Sequence, residues 1–212
     1  AALLAVDQYL YEKRLTERTL GLEELLALAA PLGADVPFVV RAAFPLGGLA
    51  VGEGTGTELR IVELPEDMIP LDIVLVAASE GLSTPQVFGE LDAGRAAGRY
   101  PEDDTLIVPS GLLHALTQSE APIARLHEVG RQLRNDLQAP AVTLAPELET
   151  ILTMDNESIV EAFVSGSGPT VAILVEDAPA ADELAAALRR RGRFSIATQT
   201  PAEIARELPY ST

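Results

Sequence analysis

From Leu71 onward the apolar patterns of this 212-residue chain follow a single order: strand, helix, several helices, strand, strand, helix, strand. Leu71-Asp72-Ile73-Val74-Leu75-Val76-Ala77-Ala78 reads as a buried strand. Ser83-Thr84-Pro85 then signals a helix start, with a hydroxyl cap and proline at the first helical position, and the helix carries Val87, Phe88 and Leu91. Residues 93–108, rich in glycine, proline and charge, read as a loop. Helices are expected around 110–119, 121–135 and 145–154, the middle one with Ile123, Leu126 and Leu133 on its apolar face. Strands over 159–164 and 170–175, a helix over 180–190 and a strand over 193–198 complete the order. It predicts an α+β class: a ferredoxin-like βαββαβ domain with an all-helical insert.

Residues 1–64 follow a different pattern, so two domains are expected, 1–64 and 65–212. Leu3, Val6 and Leu10 recur at helical spacing over residues 1–13, and the charged run from Glu12 to Thr19 is expected in solvent. A second helix has Glu23 and Glu24 in its first turn, Leu22, Leu25, Leu26 and Ala29 on its apolar face, and an end near Leu32-Gly33. Asp35 then lies at a helix-to-strand break, because Pro37 forbids a continued helix. Residues 47–64 suggest two short strands joined by Gly52-Glu53-Gly54-Thr55-Gly56.

Composition excludes several function classes. A net charge of −17 repels phosphate backbones and anionic lipid, which argues against nucleic-acid and membrane partners. There are no cysteines, so disulfides and thiolate metal sites are excluded, and a reducing cytoplasm is the expected compartment. His114 and His127 form no metal-ligand pair, and no metal ligand set is assigned. No basic leader precedes an apolar stretch. The chain opens on Ala1-Ala2-Leu3-Leu4-Ala5-Val6, which reads as the inside of an element that starts upstream.

Four segments could carry chemistry, and each has a plainer reading. Asp35 in Leu32-Gly33-Ala34-Asp35-Val36-Pro37-Phe38 is placed to accept a hydroxyl proton, or it caps a turn. Ser165-Gly166-Ser167-Gly168-Pro169, between two strands, offers backbone N–H groups and hydroxyls to an anion, or serves as a hairpin loop. Thr84 and Phe88 could grip a ribose and stack on a base, or they belong to a capped helix with Phe88 in the core. Asn135-Asp136-Leu137 is a polar site segment or a helix C-cap, and local pattern favours the cap.

Together, LGADVPF, GGLAVGEGTGTEL, GLSTPQVF, NDLQAPAV and VSGSGPTVAIL resemble, in order and spacing, the GHMP small-molecule kinases. Homoserine and mevalonate kinases of that family share the SGSGPT-like turn but not the whole set. The resemblance implies the GHMP fold, with the remnant of an N-terminal α/β domain ahead of the ferredoxin-like domain. It also implies ATP and Mg²⁺, and a cytidine diphosphate sugar alcohol as the acceptor in isoprenoid synthesis. Asp35 matches the catalytic carboxylate. Thr84 and Phe88 match substrate-binding positions, and Ser165, Gly166, Ser167 and Gly168 lie in the motif near the nucleotide phosphates. The family's catalytic Lys and its glycine-rich phosphate loop have no match here. The expectation is therefore an N-terminally truncated chain that does not catalyse alone, with inserted stretches at 12–19 and 41–46. A different GHMP kinase, of homoserine, sugar or mevalonate type, and a non-catalytic binding module are the alternatives.

Overall fold

The computed structural model describes residues 2–44, 49–54, 56–63, 70–102, 108, 110–117 and 122–200. Leu46, Gly47, Gly48, Thr55, Leu64, the side chain of Ile123 and residues 103–107 of the expected loop lie outside the described residues. The chain divides into two compact units, with the boundary between Glu66 and Asp67.

The first unit begins with helices α1 (Ala2–Glu12) and α2 (Leu22–Ala29), a 3-10 turn over Ala30–Leu32, and helix α3 (Val36–Ala42). The antiparallel hairpin of β1 (Ala50–Glu53) and β2 (Glu58–Ile61) follows. Leu4, Leu25, Ala29 and Val40 form the core, with Leu22 and Leu26 packed against it. The buried face of α1 runs through Leu4 and Asp7, so Val6, set about 100° round the helix from Asp7, is 55% exposed rather than on the apolar face expected for it. The Asp7 carboxylate is buried and accepts the Leu20 N–H at 3.1 Å, which pins the link between α1 and α2. At the start of α2, Glu24 accepts the Gly21 N–H at 2.9 Å and receives Arg18 at 2.7 and 2.9 Å.

One expectation is corrected here. The segment after Asp35 is helix α3, not a strand. Pro37 occupies its first turn, where the missing N–H would have had no intrahelical acceptor, so the proline starts a helix instead of breaking one.

The second unit contains β3 (Leu71–Ala77), α4 (Thr84–Ala96), α5 (Ser110–Thr117), α6 (Pro122–Gln132), α7 (Gln138–Leu144), α8 (Glu147–Leu152), β4 (Ile159–Val164), β5 (Thr170–Val175), α9 (Ala178–Arg190) and β6 (Ser195–Thr200). The sheet order is β4-β5-β3-β6, with every pair antiparallel, which is the ferredoxin-like arrangement. Side-chain alternation sends Val74, Val76, Val171, Ile173 and Val175 to one face, against α4, α7, α8 and α9. Leu71, Ile73, Val160 and Leu174 turn to the other face, where Ala115 of α5 and Leu126 and Val129 of α6 cover them. The helical insert thus makes a second layer, and β5 is buried from Val171 to Val175 because both of its faces are covered. Arg125 ties the α5–α6 pair together by donating its Nε–H to the Ala115 carbonyl at 2.9 Å.

Further differences from expectation are local. Helix α4 runs on to Ala96, so the expected loop starts later, and the last strand starts at Ser195. The Ser83 hydroxyl makes no cap bond, and Pro85 sits in the second helical position after Thr84. Helix α7 was not expected; its signal is Pro140 in the first turn. Helix α6 ends at Gln132, so Asn135 is not its C-cap.

Ile173→Ala empties a fully buried site between the sheet and the helical layer on one of its faces. We expect a loss of about 2–5 kcal/mol, read as a lower urea midpoint at unchanged slope. Hydrogen bonds from Arg18, then from the Gly21 N–H, hold the Glu24 carboxyl down to about 2. Its contribution to stability is therefore complete above the ordinary value of 4.5 and is lost as pH falls from there toward 2. Carbon-detected NMR titration should give a midpoint near 2 for Glu24, returning toward the ordinary value in Arg18→Ala.

Candidate functional site

In the second unit the candidate residues gather where the β4–β5 turn meets the start of α4. The strands on either side run antiparallel in register, Val164 opposite Val171, so residues 165–169 must reverse direction. The Ser165 N–H donates to the Thr170 carbonyl at 2.8 Å, and the Gly168 N–H donates to the Ser165 carbonyl at 3.0 Å. Gly166 and Gly168 have φ of +58° and +78°, a left-handed backbone that glycine enters without a Cβ clash. At Gly168 there is a second reason for glycine: a Cβ would stand 3.2 Å from Val164 Cγ1 and 3.4 Å from Leu82 Cδ1.

Two of the N–H groups expected to form an anion nest are therefore used inside the turn. Those of Gly166 and Ser167 meet no acceptor among the described residues. Ser165 and Gly166 are exposed, and Ser167 and Gly168 are half-buried. The hydroxyls of Ser167 and Thr84 share a hydrogen bond at 2.8 Å. Thr84 lies in the first turn of α4, so the turn between the strands is joined to that helix start. Phe88 comes one helical turn after Thr84. Helix α4 buries Val87, Leu91 and Gly94, and Phe88, set about 100° round the helix from Val87, is 49% exposed. Phe88 is not in the core; its ring is open to a ligand.

Asn135 was favoured as a cap in the sequence, and the fold gives it another position. Its Nδ2 group donates to the Val164 and Gly166 carbonyls, both at 2.7 Å, and its Oδ1 accepts the Leu137 N–H at 2.9 Å. Gln138 Oε1 accepts the Val164 N–H at 2.9 Å. The neighbouring Asp136 pairs with Arg95 of α4 at 3.2 Å and with Arg134 at 2.9 Å. Tyr100 bonds both Glu90 of α4, at 3.0 Å, and Thr143 of α7, at 2.8 Å. Arg99 and then Tyr100 hold the Glu90 carboxyl below its ordinary range. Sequence spacing carried no sign of the contacts of Asn135 and Gln138 with β4 and the turn, of Asp136 with Arg95 or of Tyr100 with Thr143, because only the fold brings those residues together.

Asp35 belongs to the first unit. It is exposed, it precedes α3, and its carboxylate makes no cap bond to that helix, so the reading as a turn cap fails. Its turn is backed by the β1–β2 hairpin: a Cβ on Gly56, at φ +86°, would stand 3.1 Å from the Ala34 carbonyl oxygen. A cleft of about 680 Å³ in the second unit is lined by Ser79, Leu82, Gln86, Glu90, Leu144 and Glu147. It lies on the side of α4 opposite Thr84 and Phe88, and none of the candidate residues line it. The hydroxyl and then the N–H of Ser79 hold the Glu147 carboxyl there below its ordinary range. Among the described residues no helix is long and apolar enough to cross a membrane.

The second unit thus sets the glycine-rich β4–β5 turn of a βαββαβ sheet against the start of α4. Residues 113–193 match the family model described as GHMP kinases C terminal. Residues 113–193 thus carry the GHMP C-terminal domain, and the α+β fold of the chain matches that of a solved GHMP kinase structure. Relatives that match nearly its whole length include 4-diphosphocytidyl-2-C-methyl-D-erythritol kinases. It is 40% identical to the enzyme of Paenarthrobacter aurescens over 97% of this chain and 59% of that one. To that of Nocardia farcinica it is 43% identical over 91% and 56% of the two lengths. A crystal structure of 4-(cytidine 5'-diphospho)-2C-methyl-D-erythritol kinase superposes with a TM-score of 0.63 at 29% identity, covering 90% of this chain and 60% of that one. A homoserine kinase from Cytophaga hutchinsonii shares the fold, with a TM-score of 0.53 at 14% identity. The chain spans 59% of the length of the Paenarthrobacter relative.

Gly168→Ala combines a left-handed φ with a tight contact, and we expect it to cost about 1–3 kcal/mol. Ser167→Ala removes one half-exposed hydroxyl and should stay within about 0.5 kcal/mol of the parent. Thermal melts of the two variants side by side check the difference.

Proposed function

We propose that the full-length protein transfers the γ-phosphoryl group of ATP to the 2-hydroxyl of 4-diphosphocytidyl-2-C-methyl-D-erythritol, in the non-mevalonate isoprenoid pathway of the cytoplasm. On this reading the first unit is the C-terminal part of the ATP-binding and catalytic domain, and the second is the ferredoxin-like C-terminal domain. The observation that carries the reading is the join at 2.8 Å between Ser167 of the glycine turn and Thr84 of α4, with an exposed Phe88 one turn further on. That arrangement sets donors suited to phosphate beside an aromatic face suited to a base.

Each residue has a role of its own. Asp35 accepts the proton of the 2-hydroxyl as its oxygen attacks the γ-phosphorus; the bond to the β-phosphate oxygen breaks and ADP leaves. An exposed carboxylate with no cap bond is free to take that proton. Thr84 offers a hydroxyl to the cytidine diphosphate part, and Phe88 offers its ring to the base. The Gly166 and Ser167 N–H groups, which meet no acceptor among the described residues, suit a phosphate oxygen of the nucleotide. Mg²⁺ bound with ATP would neutralise phosphate charge and needs only one or two carboxylates of the protein. Among the described residues no three His, Cys, Asp or Glu side chains converge to hold a metal ion, and no step is assigned to it.

In the full-length protein, Asp35→Asn should lower kcat about 10²–10⁴-fold with nucleotide affinity little changed; steady-state kinetics would return near-normal turnover if Asp35 is only structural. Cytidine diphosphate compounds should raise the melting temperature, and Phe88→Ala should remove that rise. A rise with homoserine or mevalonate and none with cytidine compounds would assign the acceptor to another GHMP class. No response to any of them would favour a binding module.

A further inference from the structure

We propose that Asn135 is a positioning residue for the Ser165–Gly168 turn, setting the direction in which Ser167 presents its N–H to a nucleotide phosphate. The proposal rests on the reading above, in which that turn meets the nucleotide.

The argument starts from the peptide plane. In a trans peptide the C=O and the following N–H point in opposite directions. Asn135 holds the Gly166 carbonyl at 2.7 Å, so the Ser167 N–H in the same peptide is aimed away from Asn135, and it meets no acceptor among the described residues. The same Nδ2 group holds the Val164 carbonyl at 2.7 Å, one peptide before the turn. Gly166, at φ +58°, could otherwise rotate this peptide at little steric cost, so the direction needs an outside hold.

Asparagine suits the task for a chemical reason. The side chain must donate twice to carbonyls and accept once from the Leu137 N–H, and a primary amide does all three at once. Aspartate has the same shape but no donors, and would set a negative charge against two carbonyl oxygens. The residues on either side of Asn135 are tied down as well. Gln138 grips the Val164 N–H at 2.9 Å, and Asp136 is paired with Arg95 and Arg134, which ties the 134–137 segment to α4. That helix also carries Thr84, whose hydroxyl meets Ser167, so the N–H and the hydroxyl of Ser167 are set from the same framework.

The test uses Asn135→Asp in the full-length protein, with ¹⁵N NMR of the Ser167 amide and steady-state kinetics. In the parent, a non-hydrolysable ATP analogue should shift the Ser167 amide resonance. In the variant that shift should shrink, and the KM for ATP should rise at least about tenfold, which corresponds to about 1.4 kcal/mol. The KM for the cytidine substrate should stay within about twofold, a split that general loosening of the fold would not produce. If Asn135→Asp does not fold, Asn135→Ser removes the bridge without adding charge and should give the same split. A variant with the parent's Ser167 shift and ATP KM overturns the positioning role. A parent whose Ser167 amide ignores the analogue overturns the phosphate reading of the turn, and this proposal falls with it.

Discussion

The inner strands β3 and β5 are apolar on both faces, and burying both faces is the constraint from which the rest of the second unit follows. Val171, Ile173 and Val175 need cover on one side, and Ala172 and Leu174 need it on the other. A ferredoxin-like unit by itself supplies helices to one face. Here the insert between α4 and β4 supplies the second layer through α5 and α6. A fully buried Val, Leu or Ile side chain is worth about 1.5–3 kcal/mol, so the insert is part of the fold's stability and not an ornament on it.

The same constraint builds the framework behind the candidate site. Once α4 and α7 are packed on one face of the sheet, their ends are held close to the turn of its β4–β5 hairpin. The start of α4 then meets the glycine turn through Thr84 and Ser167. The link before α7 meets the turn through Asn135, and the first residue of α7, Gln138, meets the end of β4. The apolar layer thus fixes the position of polar groups that are themselves half-buried or exposed. This arrangement suits chemistry that depends mainly on where donors point.

Much of this was legible in the sequence, and the failures share a cause. The strand at 170–175 stands out because a doubly covered strand reads as an unbroken apolar run, and those at 71–77 and 159–164 are interrupted only at Asp72 and Glu161. The βαββαβ order and the sheet it implies follow from them. Pro37 misled because proline is compatible both with a helix that stops and with a helix that starts, and the difference lies in whether the following residues can pack. Val40 packs with Leu25 and Ala29, and a helix results. Asn135 misled for a related reason. Its partners, Val164 and Gly166, lie 29 and 31 residues further along the chain, and no local pattern reports on them.

By itself the sequence determined the order of elements, the class of fold and the family the chain resembles, because periodicity, glycine and proline act over a few residues. It also marked Asp35, Thr84, Phe88 and the Ser165–Gly168 segment as candidates. It could not decide between their functional and structural readings. Tertiary structure decided that Phe88 faces solvent and that the Asp35 carboxylate caps nothing. It also decided that Thr84 meets Ser167, and that Asn135 holds the turn. Each of these is a matter of which neighbours a side chain acquires, and those of Thr84, Ser167 and Asn135 exist only once the sheet has buried both of its faces.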